Sequence, residues 1–381
     1  MGKRADQRRT AQSTPGDAPP EFPEFPNGKW RQQLQRVMLR WFDAHARDLP
    51  WRRDRDPYAV WVSEVMLQQT QVATVRPYFE RFLSRYPTIA DLAAADEHEL
   101  LRLWEGLGYY RRARQLLAAA RVLHEQHQGV FPSELSDVLA LPGIGRYTAG
   151  AILSIAMEQP QPILEGNTIR VYSRLLGYRQ DPRTAAGQRT LWNFAAQIVP
   201  NKRPGTFNQA MMELGSEICR PRSPDCEHCP AAQLCAARAH GWQADIPAAG
   251  RKLQYEDAHE TAVVVWRKQQ VLLRRCGPDE RWAGMWDFPR FPLPQADNTP
   301  DQIAAALQQL VAVRATVGPQ LTEIKHAVTR FRITLRCFRA TYKAGQLPDQ
   351  ENFRWVTPAE ITNYPLSVTG RKLTRWVESS T

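Results

Sequence analysis

Apolar residues return at helical spacing through most of the chain. Between about residues 30 and 240 they recur every three or four positions, which is the period of a helix with one buried face. Examples are Leu34, Val37, Met38 and Trp41, and later Leu101, Leu103, Trp104 and Leu107. Prolines and glycines interrupt the pattern at short intervals. The sequence therefore predicts an all-α domain of short helices joined by tight turns.

The period changes after Pro247. Residues 260–275 form two apolar runs around a polar turn, which is typical of a β-hairpin. A later segment alternates strictly between apolar and polar residues. Its apolar members are Phe331, Ile333, Leu335 and Cys337. This part of the chain is predicted to form a separate α+β domain.

These patterns divide the chain into four segments. Residues 1–28 are rich in Pro, carry Lys and Arg in their first ten positions and are poor in apolar residues, so we expect a disordered basic tail. The helical domain is predicted at 29–243 and the α+β domain at 259–381. Residues 244–258, which contain Pro, Gly and charged residues, are predicted to link the two domains.

The charge balance favours a polyanionic partner. The chain has 381 residues, enough for two domains, and a formal net charge of +11. Such an excess is typical of proteins that bind nucleic acid, although many basic proteins bind none. No apolar run reaches the length of a membrane-spanning helix, and the first ten residues lack the apolar core of a secretory signal. We therefore expect a cytoplasmic protein.

Four cysteines near the middle of the chain are candidate metal ligands. Cys219, Cys226, Cys229 and Cys235 are separated by six, two and five residues. Thiolates this close in a cytoplasmic chain suit a tetrahedral metal or an iron–sulfur cluster better than disulfides. Paired CxxC units are the usual signature of a structural zinc, and only one CxxC occurs here. The spacing favours an iron–sulfur cluster and leaves zinc as the alternative.

Further motifs lie upstream of the cysteines. In LPGIGRYTAG, Gly143 and Gly145 allow the tight turn of a helix-hairpin-helix, whose following helix can offer backbone amides to a phosphate. A plain turn between two helices is the alternative. Two carboxylates accompany this hairpin, Glu64 in WVSEVMLQQT and Glu165 in ILEGNTIRV.

In this order, and together with WEGLGYY, FNQAMMELG and the cysteine loop, these motifs resemble the MutY family of adenine DNA glycosylases, within the endonuclease III superfamily. The motifs are dense from Arg47 to Cys235. The resemblance implies a helix-hairpin-helix DNA glycosylase domain with a [4Fe-4S] cluster loop at 219–235, followed by a Nudix-like domain. It also implies a monomeric, nucleoid-associated bacterial enzyme of base excision repair. Such an enzyme hydrolyses the N-glycosidic bond of adenine mispaired with 8-oxoguanine or guanine in double-stranded DNA.

Four residues match the catalytic centre of the family. Glu64, whose sequence neighbours are largely apolar, matches the general acid that protonates the departing adenine. Glu165 matches the carboxylate that stabilises the oxocarbenium ion, a division of labour also found in glycosidases. Tyr147 matches a residue hydrogen-bonded near this site, and Asn167 one that orients the carboxylates. Bifunctional relatives carry lysine in place of Tyr147, and because tyrosine cannot form a Schiff base we expect a monofunctional enzyme.

Other residues match positions that contact DNA. Gln69 and Tyr109 match residues that enter the base stack near the lesion, with core packing as the alternative for Tyr109. Arg220 and Arg222, in the cysteine loop, are expected to neutralise phosphates. The residues that match the adenine pocket are Arg47, Leu49, Trp51 and Gln209.

The C-terminal segment resembles a Nudix-like domain through GMWDFP. The helical stretch after this motif contains no glutamate, so we expect recognition of 8-oxoguanine without magnesium-dependent hydrolysis. In the lesion-reading loop, Thr329 keeps a hydroxyl that can contact the lesion edge. Arg330 replaces an imidazole of the family with a permanent cation.

One catalytic position departs from the family. The family turn is usually DGN, whereas here it is Glu165-Gly166-Asn167, which moves the carboxylate one methylene farther from the backbone. A displacement on the order of 1 Å can cost about a hundredfold in rate. Glu165 is either an engineered substitution or a natural variant with compensating changes. The alternatives are an impaired or non-catalytic lesion-binding homologue and another mismatch glycosylase of the superfamily.

Overall fold

The structure is a computed structural model that describes residues 25–250, 254–293 and 299–379. Residues 1–24 of the predicted tail and 251–253 of the predicted linker lie outside these ranges. Within them the chain forms two compact units. Of the described residues, the first unit contains 25–46, Leu164–Pro200 and Gln209–Gly250, and the second contains Arg47–Ile163, Asn201–Asn208, 254–293 and 299–379.

Helices dominate the described chain up to about residue 240, as predicted. They are α1 (Gly28–His45), α2 (Pro57–Leu67), α3 (Val72–Arg85), α4 (Ile89–Ala93), α5 (Glu97–Trp104), α6 (Arg111–Gln126), α7 (Leu135–Ala140), α8 (Arg146–Ile155), α9 (Gly166–Leu176), α10 (Ala185–Ile198), α11 (Pro204–Glu213) and α12 (Ala236–Ala239). Two more, α13 (Pro300–Val311) and α14 (Val368–Glu378), belong to the C-terminal part.

The first unit contains α1, α9, α10 and α12. Asn27 begins α1 by accepting a hydrogen bond from the backbone amide of Trp30 at 3.0 Å, so this residue of the predicted tail is a helix cap. Tyr172 on α9 packs edge to face against Phe194 on α10, with ring centroids 5.6 Å apart. A π-helical turn, Leu214–Ile218, follows α11 and ends directly before Cys219. Such turns within helices are frequently found at functional sites.

The helical part of the second unit surrounds α2. Asp56 caps this helix by accepting from the amides of Tyr58 and Ala59 at 3.0 and 3.3 Å. Every residue from Tyr58 to Met66 is buried. A helix with no solvent-facing side must pack against neighbours all round, and Trp61 is among the largest fully buried side chains.

The C-terminal part of the second unit is a sheet with a helix on each face. Its strands are β1 (Glu256–Arg267), β2 (Gln270–Arg275), β3 (Trp286–Asp287), β4 (Arg290–Pro292), β5 (Val313–Val328), β6 (Phe331–Gly345) and β7 (Phe353–Val356). The order is β3-β2-β1-β6-β5, with β4 paired to β1 and β7 to β2. Only the β1–β6 pair among these is parallel.

Alternation along β1 divides the core of this domain in two. Val264 faces a cluster that includes Leu373 of α14, whereas Val263 faces one that includes Leu307 of α13. The predicted α+β domain is therefore confirmed. Its first strand begins at Glu256, inside the segment predicted as a linker, because β1 pairs with β6 from that residue onward.

No helix in residues 25–250, 254–293 and 299–379 combines the length and apolar character needed to cross a membrane.

Candidate active site and nucleic-acid interface

Glu64 lies near the C-terminal end of the buried helix α2. Only 6% of its surface is exposed, and its sequence neighbours Val62, Val65 and Met66 are buried with it. The hydroxyl of Tyr147, on the first turn of α8, donates a hydrogen bond of 2.5 Å to Oε2 of Glu64. A contact this short is typical of a hydroxyl bonded to a carboxylate. The structure thus brings two of the predicted catalytic residues together.

Glu165 caps the N-terminus of α9 with its own side chain. Oε2 accepts from the amide of Asn167 at 2.8 Å, and Oε1 accepts from the amide of Thr168 at 2.9 Å. The hydroxyl of Thr168 in turn accepts from the amide of Glu165 at 2.7 Å, which completes a capping box. Burial raises the pKa of Glu165 above its ordinary value, while these two amides and Arg170 act in the opposite direction. The glutamate side chain, one methylene longer than aspartate, folds back so that its carboxylate stays at the N-terminal end of α9.

Asn167 connects the turn that contains Glu165 to the π-helical turn. Its Oδ1 accepts from Nη2 of Arg170 at 3.0 Å, and the same nitrogen donates to the carbonyl of Gly215 at 2.6 Å. A Cβ on Gly215 would lie 2.6 Å from Cβ of Asn167, so only glycine fits there. Nε of Arg170 also donates to the carbonyl of Cys219 at 2.7 Å. One guanidinium therefore joins the turn to the start of the cysteine loop.

The four cysteines line one small common cavity. Arg174 of α9 donates to Sγ of Cys219 at 3.3 Å and to the carbonyl of Arg220 at 2.8 Å. Burial raises the pKa of the Cys229 thiol to about 12 and that of Cys235 above its usual value, so each would need a nearby cation to be held as a thiolate. Within the described residues, no three Cys, His, Asp or Glu side chains converge tightly enough to hold a single metal ion.

The first arm of the cysteine loop is exposed from residue 220 to residue 223. Arg220 donates only a long bond, 3.3 Å, to the carbonyl of Ser223, and Arg222 is also exposed. Both side chains are accessible to a polyanion, which their predicted role of neutralising phosphates requires.

Gln69 and Tyr109 occupy the tips of two loops in the second unit. Both adopt left-handed backbone conformations, with φ of 57° and 49°. Tyr109 is 50% exposed, so it does not pack in the core. Side-chain-bearing residues in this conformation are strained and occur preferentially at functional sites. The positions predicted to enter the base stack are therefore exposed and conformationally unusual.

The hairpin glycines have distinct roles. Gly143 has φ of 75°, and a Cβ there would lie 2.7 Å from Cβ of Gln115. Gly145 precedes α8 as its N-cap residue, and a Cβ there would meet no atom within 4 Å. The first glycine allows the turn between α7 and α8, and the second leaves open space before the amides at the start of α8.

The four predicted adenine-pocket residues differ in burial. Leu49 and Trp51 are buried, and Trp51 packs edge to face on Phe79 with centroids 5.4 Å apart. Arg47 and Gln209 are partly exposed, with Gln209 on α11. The first pair offers apolar surface, and the second pair offers polar groups.

Thr329 and Arg330 form the two-residue tip of the hairpin between β5 and β6. Val328 and Phe331 pair across it, and Thr329 has φ of 51°. The Thr329 hydroxyl donates to the carbonyl of Val328 at 2.7 Å. Arg330 forms an exposed ion pair with Glu256 at 3.0 Å. The hydroxyl and the cation are therefore both presented at the tip.

Sequence reasoning missed three buried arginines, Arg112, Arg170 and Arg174. Arg170 and Arg174 are four residues apart and so share one face of α9. That spacing, directly after the LEGN turn, was a usable signal. Nothing local in the sequence distinguishes Arg112 from its neighbour Arg111, which is exposed.

Two family models match the chain. Residues 62–197 match the HhH-GPD superfamily base excision DNA repair protein, and residues 261–376 match the NUDIX domain. These matches coincide with the helical part and with the sheet domain.

Relatives of the chain include several adenine DNA glycosylases. That of Rattus norvegicus is 35% identical, over 91% of this chain and 78% of its own length. That of Buchnera aphidicola subsp. Schizaphis graminum is 37% identical, over 68% of this chain and 75% of its own. Among solved structures, a thermostable thymine-DNA glycosylase aligns with a TM-score of 0.52 and 29% identity, covering 56% of this chain and 98% of that one.

Proposed function

The chain belongs to the adenine DNA glycosylase family, and we propose that it removes adenine mispaired with 8-oxoguanine or guanine from double-stranded DNA, as a monomer and without lyase activity. The bond between Glu64 and Tyr147 carries this proposal. It joins a buried carboxyl group to a hydroxyl at the position where a lyase of the superfamily needs an amine. The enzyme is a DNA glycosylase of base excision repair.

Glu64 supplies the proton that adenine needs in order to leave. In its acid form it donates this proton to a ring nitrogen of the flipped base. The Tyr147 hydroxyl can donate to the resulting carboxylate, so the group keeps a partner in both protonation states. Departure of adenine leaves a cationic sugar, and water completes the hydrolysis.

Glu165 stabilises the cationic sugar. Its two amide donors favour the charged form of the carboxylate and hold it at the end of α9. Asn167 and Arg170 brace the same turn, which limits how far the carboxylate can move. Because stabilisation of developing charge depends on prearranged groups, this rigidity suits the role.

Base and lesion are read by separate groups. Leu49 and Trp51 supply the apolar floor of the adenine pocket, and Arg47 and Gln209 its polar contacts. Gln69 and Tyr109 fill the stack that the flipped adenine leaves, while Gly143 and Gly145 bring backbone amides to a phosphate. Thr329 and Arg330 contact 8-oxoguanine from the C-terminal domain.

The cysteine loop holds a [4Fe-4S] cluster. Four thiols that line one common cavity, without the convergence required by one ion, suit a cube of iron and sulfide better than zinc. Cys219, Cys226, Cys229 and Cys235 would be its ligands, and the iron ions of the cluster would stabilise Cys229 and Cys235 as thiolates. Iron and sulfide analysis of anaerobically purified protein should give about four of each, whereas stoichiometric zinc would contradict this assignment.

Single-turnover cleavage tests the proposed activity. Duplexes with adenine opposite 8-oxoguanine, adenine opposite guanine, and thymine opposite guanine are compared under excess enzyme. We expect abasic product from the adenine strands, strand breaks only after alkali, and no adduct trapped by borohydride. Preferential thymine release would indicate another mismatch glycosylase. Tight binding without base release would indicate a lesion-binding homologue.

A further inference from the structure

Arg112, near the start of α6, is a buried cation whose hydrogen bonds go to neutral oxygens. Its exposed fraction is 8%, and its guanidinium lies 5.4 Å from the ring of Tyr109 and 5.6 Å from that of Trp104. Burial lowers its pKa to about 10, and Nε, also buried, has no partner. Burying a cation at such a site costs free energy. The question is therefore what the guanidinium does there.

The guanidinium connects two loops that lie far apart in sequence. The first loop follows the end of α2 and the second precedes α6. Nη1 donates to the carbonyls of Val65, Met66 and Gln68 at 2.7, 3.1 and 2.6 Å. Nη2 contacts the Thr70 hydroxyl and the carbonyls of Leu107 and Gly108 at 3.4, 3.4 and 3.2 Å. The first two carbonyls belong to the C-terminal turn of α2, where a cation is also favoured by the helix dipole.

These contacts flank the two strained tips. Gln68 and Thr70 lie on either side of Gln69, and Gly108 directly precedes Tyr109. A left-handed conformation of a side-chain-bearing residue persists only where the surrounding structure fixes the backbone. Here one planar group with five N–H donors fixes the backbone at both tips.

We propose that Arg112 is a positioning residue, which holds the loops of Gln69 and Tyr109 at a fixed separation so that both side chains enter the base stack together. This inference rests on the proposed function, because it assigns a role in opening the stack to the same two residues. Arg112 itself contacts neither adenine nor the sugar in this role. Its loss should therefore impair base flipping and leave the cleavage of an already unstacked adenine largely intact.

Arg112→Lys is the informative variant. Lysine keeps the positive charge, but its single ammonium cannot span acceptors on both loops. We expect single-turnover cleavage of adenine opposite 8-oxoguanine in a continuous duplex to fall by at least about tenfold, in line with the cost of small displacements. For adenine within an unpaired bubble, where no stack has to be opened, we expect a loss below about threefold.

Arg121→Lys is the matched control. Arg121 lies on the same helix and also donates to two backbone carbonyls, those of Ala93 and Ala95, both at 3.3 Å. It does not reach either loop through these bonds. This variant should cleave both substrates at the rate of the unaltered enzyme, and a loss equal to that of Arg112→Lys would overturn the proposal.

Two outcomes for Arg112→Lys would also overturn it. Equal losses on duplex and bubble would show that the arginine only supports the fold, and unchanged rates on both would show that the bridge is dispensable. If the lysine variant lacks a cooperative unfolding transition, Thr70→Val replaces it. That change removes a single acceptor of Nη2. It should lower the cleavage rate on the duplex but not on the bubble, by a smaller factor than Arg112→Lys.

Fluorescence of 2-aminopurine, placed at the adenine position, separates this inference from the proposed function. The unaltered enzyme should raise the fluorescence by unstacking the base, and Arg112→Lys should reduce that rise. If the unaltered enzyme unstacks the base without cleaving adenine, the proposed activity fails while the role of Arg112 is still tested. An equal rise in both proteins would contradict the positioning role whatever the activity.

Discussion

Glu64 lies within a helix that is buried on every side, whereas Glu165 caps the first turn of another helix. Glu64 accepts a hydrogen bond from the hydroxyl of Tyr147. The partners of Glu165 are two backbone amides, one on each carboxylate oxygen. Both side chains carry the same carboxyl group, so the contrast lies entirely in what surrounds them.

The two kinds of partner favour different protonation states. A hydroxyl can donate to a carboxylate or accept from a carboxylic acid, so Glu64 can gain and lose a proton without losing its partner. An amide N–H can only donate, so a proton on Glu165 would find no acceptor there and would weaken the two bonds. The arrangement suits Glu64 to proton transfer and Glu165 to a lasting negative charge, even though burial raises the pKa of Glu165.

Replacing Glu64 with glutamine should have the largest effect. The amide keeps the shape but has no acidic proton, so we expect Glu64→Gln to slow single-turnover release of adenine by about a thousandfold or more. Affinity for the mispaired duplex, measured by gel shift, should change little. Glu99→Gln is the control, since Glu99 forms an exposed ion pair with Arg85 and contributes little. Measurable turnover near the unaltered rate would remove Glu64 from the chemistry.

Replacing Glu165 with glutamine should have the next largest effect. The side-chain NH₂ would face an amide donor of Asn167 or Thr168, so both the charge and one capping bond are lost. We expect a loss of about a hundredfold in single-turnover rate. The melting temperature should also fall, because a helix cap is worth about 1 kcal/mol. A lower melting temperature with an unchanged rate would show that Glu165 is only a cap.

Much of this contrast was open to prediction from the sequence, because the motifs are local. Glu64 within an apolar helical run and the hairpin glycines follow from short patterns, and the strand alternation of the C-terminal domain does as well. The conformation of the Glu165 side chain could not be predicted in this way. The extra methylene permits several rotamers, and only the amides of α9 select among them. Long-range pairings were equally hidden, as in β1, whose first residue, Glu256, pairs with Phe331.

Removing the hydroxyl of Tyr147 tests whether the partner of Glu64 matters. Tyr147→Phe leaves the ring and deletes the donor to Oε2. A hydrogen bond to a charged group is worth about 1.5–3 kcal/mol, so we expect the single-turnover rate to fall by about ten- to a hundredfold. In the Glu64→Gln background the same change should add little, because the proton transfer is already lost. Independent, multiplicative losses would show that Tyr147 acts apart from Glu64.

Shortening Glu165 to aspartate should have the smallest effect and gives the sharpest view of this site. The position of the carboxylate is set by the amides of Asn167 and Thr168 rather than by the length of the side chain. Aspartate is itself a favoured N-cap residue that bonds the same amides, so charge and cap both survive in Glu165→Asp.

We therefore expect the single-turnover rate of Glu165→Asp to stay within about threefold of the unaltered enzyme, well above that of Glu165→Gln. A gain of about tenfold or more would show that glutamate misplaces the charge and that this chain is an impaired member of its family. A loss of similar size would show that the pocket has adapted to the longer side chain. Similar rates for Glu165→Asp and the unaltered enzyme would instead show that the N-terminus of α9 determines where the charge lies, because its two amides bind either carboxylate.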